Sequence, residues 1–331
     1  MATLKDVAKL ACVDVSTVSR ALNNTSYVHP ETKARIMAAV KQLSYQPNVL
    51  ARGLRQGKRH TIGVIVPTLF MSVFSDLIQG LDREAQKSGY AILLCNSYDD
   101  PAVEKACLNR LRNGFIDGLI IAATGRNSRL IQDIRASGMP VIQIIREQIP
   151  NLSCILADYE AIGYEAVRYL YRQGARQIGF LGSSNKLMPF HDRYAGYQRA
   201  LRELELPEFT LPSCFAGHFY EHGYQATLDL LFQYPEMDAV IASLDTQGLG
   251  ALRALREQER LVPDEVRVIS LTGHAIGGML ETTMTSMELP AEEMGQQAAR
   301  MAIEEIESDP NRPLTCKRLI FPAALVERES G

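Results

Sequence analysis

The chain has 331 residues, 46% hydrophobic and 22% charged, with a net charge of −3 and six scattered cysteines. That length exceeds what a single core usually serves, so two or three domains are expected. No apolar run approaches the roughly 18 residues of a bilayer span, Met1 is followed by a charged amphipathic stretch rather than a signal peptide, and no C-x-x-C spacing points to zinc or a disulfide framework. A cytosolic protein with no metal and no cofactor is expected. The charge is uneven: residues 1–60 carry ten Lys plus Arg against three acids, which leaves about −10 for the other 271. A small polyanion-binding head on an ordinary globular body follows.

In chain order, Thr3 can cap a first helix with Asp6 three positions on, and Val7, Leu10 and Ala11 recur on one face. That helix ends near Cys12. Asp14 can cap a second helix in which Val18 and Leu22 face inward and Ser16, Thr17, Ser19 and Arg20 stay polar, with a short connection between the two. His29 and Pro30 open a third helix, with an apolar stripe of Ile36, Ala39, Val40 and Leu43. The pattern suits helix-turn-helix geometry, and it equally suits a generic three-helix bundle. After Pro47, Asn48 can cap a short helix over Val49–Gln56 that ends at Gly57 and is marginal by itself.

The wording of the head narrows the choice. "LKDVAKLA", "VSTVSRALNN", "TKARIMAAVKQLSYQPNVLARGLR" and "TIGVIVP" closely resemble the lactose-repressor (LacI/GalR) family of bacterial transcription regulators. The resemblance implies a helix-turn-helix domain over 1–46 and a hinge helix and linker over 47–60. It places Val15, Ser16 and Arg20 at base-reading positions in the major groove, with Thr17 and Ser19 nearer the backbone. Thr3, Lys5, Asn24, Tyr27, His29, Asn48 and Arg52 join them as expected DNA contacts, Ala51 at the close-packing position of paired hinges and Leu54 as a wedge into the minor groove. Two departures stand out: Cys12 replaces the usual turn glycine and Asp14 a serine.

From Thr61 the pattern changes to short apolar runs alternating with amphipathic helices: "TIGVIVP", "YAILLCN", "DGLIIAA", "PVIQII", "RQIGFLG", "DAVIAS" and "VRVISL". Such runs read as buried parallel strands, so the body is expected to be doubly wound α/β with ligands at the strands' carboxyl ends. The resemblance implies a periplasmic-binding-protein-like effector and dimerisation domain over 61–331, with two lobes at approximately 61–160 plus 290–320 and 161–289 plus 321–331. It also implies a cleft between them that holds the effector. By the same resemblance Phe74 stacks on the effector with Phe70 on the same loop, Arg193 anchors hydroxyls or anions, and Arg146, His218, Phe219, Asp245, Thr272 and His274 complete the candidate pocket. Here too there are departures. Leu244 stands where an Asn commonly binds the ligand, and Thr272 replaces an acid that often grips sugar hydroxyls.

No G-x-S-x-G elbow and no Walker loop appear, and "TGHAIGGM" lacks G-x-G-x-x-G spacing, so an α/β enzyme is disfavoured. The expectation is a homodimeric repressor of a carbohydrate-utilisation operon, bound to a near-palindromic operator and controlled by a sugar or sugar phosphate. The alternative keeps the fold and makes the signal a purine or a phosphorylated corepressor protein.

Overall fold

The computed structural model describes residues 2–23, 26–45, 59–70, 72–182, 187–211, 219–309 and 315–331. The expected hinge helix and the candidates Asn24, Asn48, Ala51, Arg52, Leu54 and His218 lie outside the described residues. The chain divides into two compact units, Met1–Arg59 and His60–Gly331.

The first unit is three helices: α1 (Leu4–Leu10), α2 (Val15–Asn23) and α3 (Pro30–Gln42). Thr3 caps α1 in a capping box: its amide donates to Asp6 Oδ2 at 2.8 Å and Asp6 N donates to Thr3 Oγ1 at 3.4 Å. Val7, Ala8, Ala11, Val18, Ala21, Ile36 and Ala39 form the buried core. The expected Asp14 cap takes another form. Its carbonyl accepts from Thr17 N at 2.9 Å and Val18 N at 3.1 Å, and among the described hydrogen bonds its carboxylate has none.

Cys12, in the turn between α1 and α2, has φ 51° and is exposed. A side chain in this left-handed region costs roughly 1–2 kcal/mol relative to the right-handed one, which is the physical reason a glycine suits the position. Cys12→Gly is therefore expected to stabilise the head by about 0.5–1 kcal/mol, the relief of strain being partly offset by the greater freedom of glycine in the unfolded chain. Hydrogen exchange of the buried α1 and α3 amides measures this directly, and slower exchange is the expected result.

The second unit holds two six-stranded sheets. One has the order β11-β5-β4-β3-β1-β2 and is parallel throughout: β1 (Thr61–Val66), β2 (Ala91–Asn96), β3 (Gly118–Ile121), β4 (Val141–Ile144), β5 (Ser153–Ala157) and β11 (Arg318–Phe321). The other has the order β12-β10-β9-β8-β6-β7: β6 (Ile178–Leu181), β7 (Phe209–Thr210), β8 (Ala239–Ala242), β9 (Arg267–Gly273), β10 (Thr285–Glu288) and β12 (Ala324–Val326), of which only β12 runs antiparallel to its neighbour. Each of the seven quoted apolar runs contains a strand, and β1, β3, β4, β6 and β8 are almost wholly buried, as parallel strands covered on both faces must be. The chain passes between the sheets after β5, after β10 and after β11.

Helices α4 (Ser72–Lys87), α5 (Pro101–Arg112), α6 (Ser128–Ala136) and α11 (Ala291–Glu307) pack on the first sheet, and α7 (Tyr159–Arg172), α8 (Met188–Glu203), α9 (Phe219–Gln233) and α10 (Asp245–Glu257) on the second. Three pairs approach closely at glycines: α7 with α8, α4 with α11, and α9 with α10.

Candidate functional site

In the first unit the polar side chains of α2 collect on one side. Ser16 and Arg20, four apart, are both exposed, while Val18 and Ala21 point into the core. Val15, Thr17 and Ser19 are half-buried, and Lys5, Tyr27 and His29 are exposed. Arg20 folds back along its own helix, its Nε donating to Ser16 O at 3.4 Å and Nη2 to Thr17 Oγ1 at 3.3 Å. These long, solvated bonds hold it weakly, so the guanidinium is free to exchange them for an acceptor outside the protein. Asp14 is exposed at the start of the same helix.

In the second unit the carboxyl ends of both sheets face a cleft of about 370 Å³, the position where open parallel sheets take ligands. Pro67 and Thr68 follow β1, Asp99 follows β2, and Ile145 and Arg146 follow β4. From the other lobe come Gly182 after β6, Leu244 after β8 and Thr272 in β9. Helices add Phe74, Arg193 and Phe219. The structure thus brings five of the expected pocket residues together: Phe74, Arg146, Arg193, Phe219 and Thr272. Phe74 sits in the first turn of α4, not on the loop with Phe70 as expected, because the helix begins at Ser72.

The other three take a different place. Phe70, Asp245 and His274 line an adjoining hollow of about 330 Å³, and two of them join the lobes. Ser72 Oγ donates to Asp245 Oδ2 at 2.5 Å, and His274 Nε2 lies 3.3 Å from Asp76 Oδ1. Phe70 is 78% exposed.

The two arginines of the cleft differ in their pairing. Arg146 is bound by both oxygens of Asp99, at 2.6 and 3.0 Å, a fork-to-fork pair. Arg193 is only 3% exposed and has no ion-pair partner among the described residues. Its Nη1 donates to Ser243 O at 3.2 Å, its Nε has no partner there, and its guanidinium lies 5.1 Å from the Tyr159 ring centre. Burial pulls the Arg193 guanidinium down to about 10, against the opposing pull of Tyr159 and Asp245. It therefore stays charged at neutral pH, a buried cation facing a cavity. The neighbouring Ser243 Oγ is likewise buried without a partner among the described residues.

Three residues on one wall hold left-handed backbone: Tyr98 (φ 54°), Asp99 (φ 55°) and Ile145 (φ 63°). The conformation is rare for a β-branched residue. Ile145 is fixed by a bond from its amide to Ile155 O at 2.9 Å and by the Tyr159 hydroxyl, which donates to Ile145 O at 2.9 Å. Such strain persists where surrounding contacts over-determine it, and here it turns Arg146 and Asp99 into the cleft. Thr272 Oγ1 accepts from Asp245 N at 3.1 Å, and Gln247 Oε1 from Leu244 N at 3.1 Å, so both polar groups hold backbone.

Sequence reasoning missed Asp99, Ile145, Tyr159 and Gln247. Asp99 was within reach, since "NSYDDP" directly follows a strand and carboxyl-end loops carry ligand contacts. The strain at Ile145 and the Tyr159 hydrogen bond leave no local signal.

Comparison with known proteins places both units. The family described as periplasmic binding proteins and sugar binding domain of LacI family matches residues 59–327, and that described as bacterial regulatory proteins, lacI family, matches residues 3–48. A ribose operon repressor of Halalkalibacterium halodurans is 28% identical over 330 residues, covering 100% of this chain and 97% of that one. The transcriptional repressor PurR of Pectobacterium carotovorum is 31% identical over 314 residues, covering 93% and 91%. Among solved structures, the transcriptional regulator CelR in complex with cellobiose has a TM-score of 0.73 at 26% identity, with 100% of both chains covered. The Lac repressor bound to ONPG in its repressed state has a TM-score of 0.87 at 23% identity, covering 100% of this chain and 99% of that one, a likeness of fold.

Proposed function

The chain belongs to the lacI family of bacterial regulatory proteins, and from that premise we propose that it represses a carbohydrate-utilisation operon from the cytoplasm as a homodimer. A sugar or sugar phosphate bound between the lobes sets its hold on a near-palindromic operator. As a family member it is a DNA-binding transcription regulator and not an enzyme, and among the described residues no helix is long and apolar enough to cross a membrane.

The observation that carries the effector reading is Arg193, a buried guanidinium at the strands' carboxyl ends whose Nε has no partner among the described residues. A protein that only needed to fold would gain from an apolar residue there, because an unpaired buried charge is costly. The sugar reading draws support from the description of the matched domain and from relatives such as the ribose operon repressor. Asp245 and His274 support a lobe-to-lobe role, since their partners Ser72 and Asp76 lie across the cleft. Ligand occupancy would bias closure through these contacts, and closure would set the spacing of the paired hinges.

The test is selection of bound duplexes from a random pool by the full chain, followed by sedimentation of the complex. Enrichment of a site with two inverted half-sites, bound by two chains, is expected. An asymmetric single half-site bound by one chain would remove the dimeric repressor reading. Calorimetric titration with sugars, sugar phosphates, nucleobases and a phosphorylated carrier protein separates the carbohydrate reading from the purine and corepressor alternatives.

A further inference from the structure

We infer that the ligand of this cleft is a carboxylate monoanion on a compact, largely apolar body, with its carboxylate taken side-on by Arg193. The inference rests on the reading of the cleft as the effector site and replaces, within that reading, the neutral sugar or sugar phosphate with an acid. Of the charges lining the cleft, Arg146 is already matched by Asp99 through two hydrogen bonds. Asp245 lies outside the cleft, in the adjoining hollow, where Ser72 holds it and it acts on Arg193 only from farther away. One positive charge is therefore left over among the described residues, and it is buried.

The geometry of that charge favours a carboxylate. Nη1 is used on the Ser243 carbonyl, while Nε has no partner among the described residues. The Nε edge of the guanidinium, buried and without a partner among the described residues, is the kind of edge that a planar carboxylate meets with two parallel hydrogen bonds. A phosphate dianion would bring a second charge that no unpaired cation among the described lining residues matches, and desolvating it would oppose binding. Most of the remaining wall is apolar: Leu187, Pro189, Phe190, Phe219, Leu244 and Phe74. Thr272 and Gln247 already hold backbone amides. A polyol with hydroxyls all round would leave several of them buried without partners, each at a penalty. A hydroxyl at the end of the ligand far from the carboxylate could still meet the Arg146–Asp99 pair on the opposite lobe. Sugar acids are the carbohydrates closest to this description, and aromatic acids lie outside that class.

Thermal unfolding of the full-length protein, at constant ionic strength with millimolar additives, compares galacturonate with galactose, benzoate with benzyl alcohol, and both acids with galactose phosphate. At least one acid should raise the midpoint by several degrees while its neutral partner and the phosphate do not. The shift should vanish in Arg193→Gln and persist in part in Arg193→Lys, which keeps the charge and loses the fork. Galacturonate acting alone identifies a sugar acid, and benzoate acting alone an acid outside carbohydrate chemistry. The inference is overturned if neither acid shifts the midpoint, if a neutral partner or the phosphate does so equally, or if folded Arg193→Gln keeps the full shift. If an acid binds and leaves DNA affinity unchanged, the regulatory reading falls while the carboxylate site stands. If galactose alone binds and alters DNA affinity, only the carboxylate inference falls.

Discussion

Arg20→Ala is expected to weaken binding to the chain's own selected duplex by about 1–3 kcal/mol, the range for losing one bidentate base contact, with a much smaller loss on a scrambled duplex of equal length. Arg20 is exposed, four residues from exposed Ser16, and among the described residues its hydrogen bonds are the long ones to Ser16 O and Thr17 Oγ1. It contributes little to the core formed by Val18 and Ala21 on the other side of the helix. Its removal should therefore leave unfolding within about 0.5 kcal/mol of the parent, as exposed substitutions generally do. Fluorescence anisotropy on the two duplexes separates the cases. A phosphate contact would be lost equally from both, so equal losses would refute a base-reading role.

Gly163→Ala should be among the most damaging single-methyl changes in the second unit, although the residue touches no ligand. A Cβ on Gly163 would lie 1.9 Å from the carbonyl oxygen of Arg193 and 3.1 Å from Tyr197 N, and a Cβ on the facing Gly196 would lie 1.9 Å from Glu160 O. These are backbone atoms, which no rotamer change can move aside, so α7 and α8 would have to separate. Overpacking of this kind costs about 1–3 kcal/mol or more. The carbonyl struck belongs to Arg193, so ligand affinity should fall together with stability. Gly278→Ala is the control, since its Cβ would come no nearer than 3.4 Å to its neighbour, Arg328 Nε, an ordinary van der Waals contact. Urea unfolding of the two variants should show a large drop in midpoint for Gly163→Ala and almost none for Gly278→Ala. The same device recurs at Gly80 with Gly295 and at Gly223 with Gly250, where the first Cβ of each pair would lie 2.0 and 2.2 Å from a facing carbonyl oxygen.

None of these glycine pairs was legible in the sequence. A glycine within a helical pattern reads as a small loss of propensity, and only the crossing of two helices far apart in sequence reveals why a side chain is excluded. The head was legible because its signals are local: a capping box at Thr3, a stripe through Ile36 and Ala39, and a proline at the start of α3. Strands β1, β3, β4, β6 and β8 were legible because burial on both faces forces unbroken apolar runs. β5 and β10 escaped notice because "SCILA" and "TSME" mix hydroxyls and an acid into short strands whose polar groups are satisfied by tertiary partners. Ser153 Oγ, for example, donates to Glu305 at 3.1 Å.

The cleft was legible in outline and not in its division of labour. The family's motifs announced that Arg146, Phe74 and Arg193 would gather in one pocket. They did not announce that Asp99 neutralises Arg146, that Asp245 and His274 face an adjoining hollow, or that Ile145 is held in left-handed backbone by Tyr159. Each of those facts depends on a residue from a different element, which periodicity does not encode.

The central claim is that what occupies the cleft governs how tightly the head holds DNA. Its most direct test is the affinity of the full-length protein for its selected duplex, measured by anisotropy without ligand and with a saturating concentration of whichever probe stabilises the protein. A change of about 5–150-fold is the expected range for such coupling, and it should disappear in Arg193→Gln while that variant's ligand-free DNA affinity stays close to the parent's. The same affinity with and without bound ligand would contradict the account.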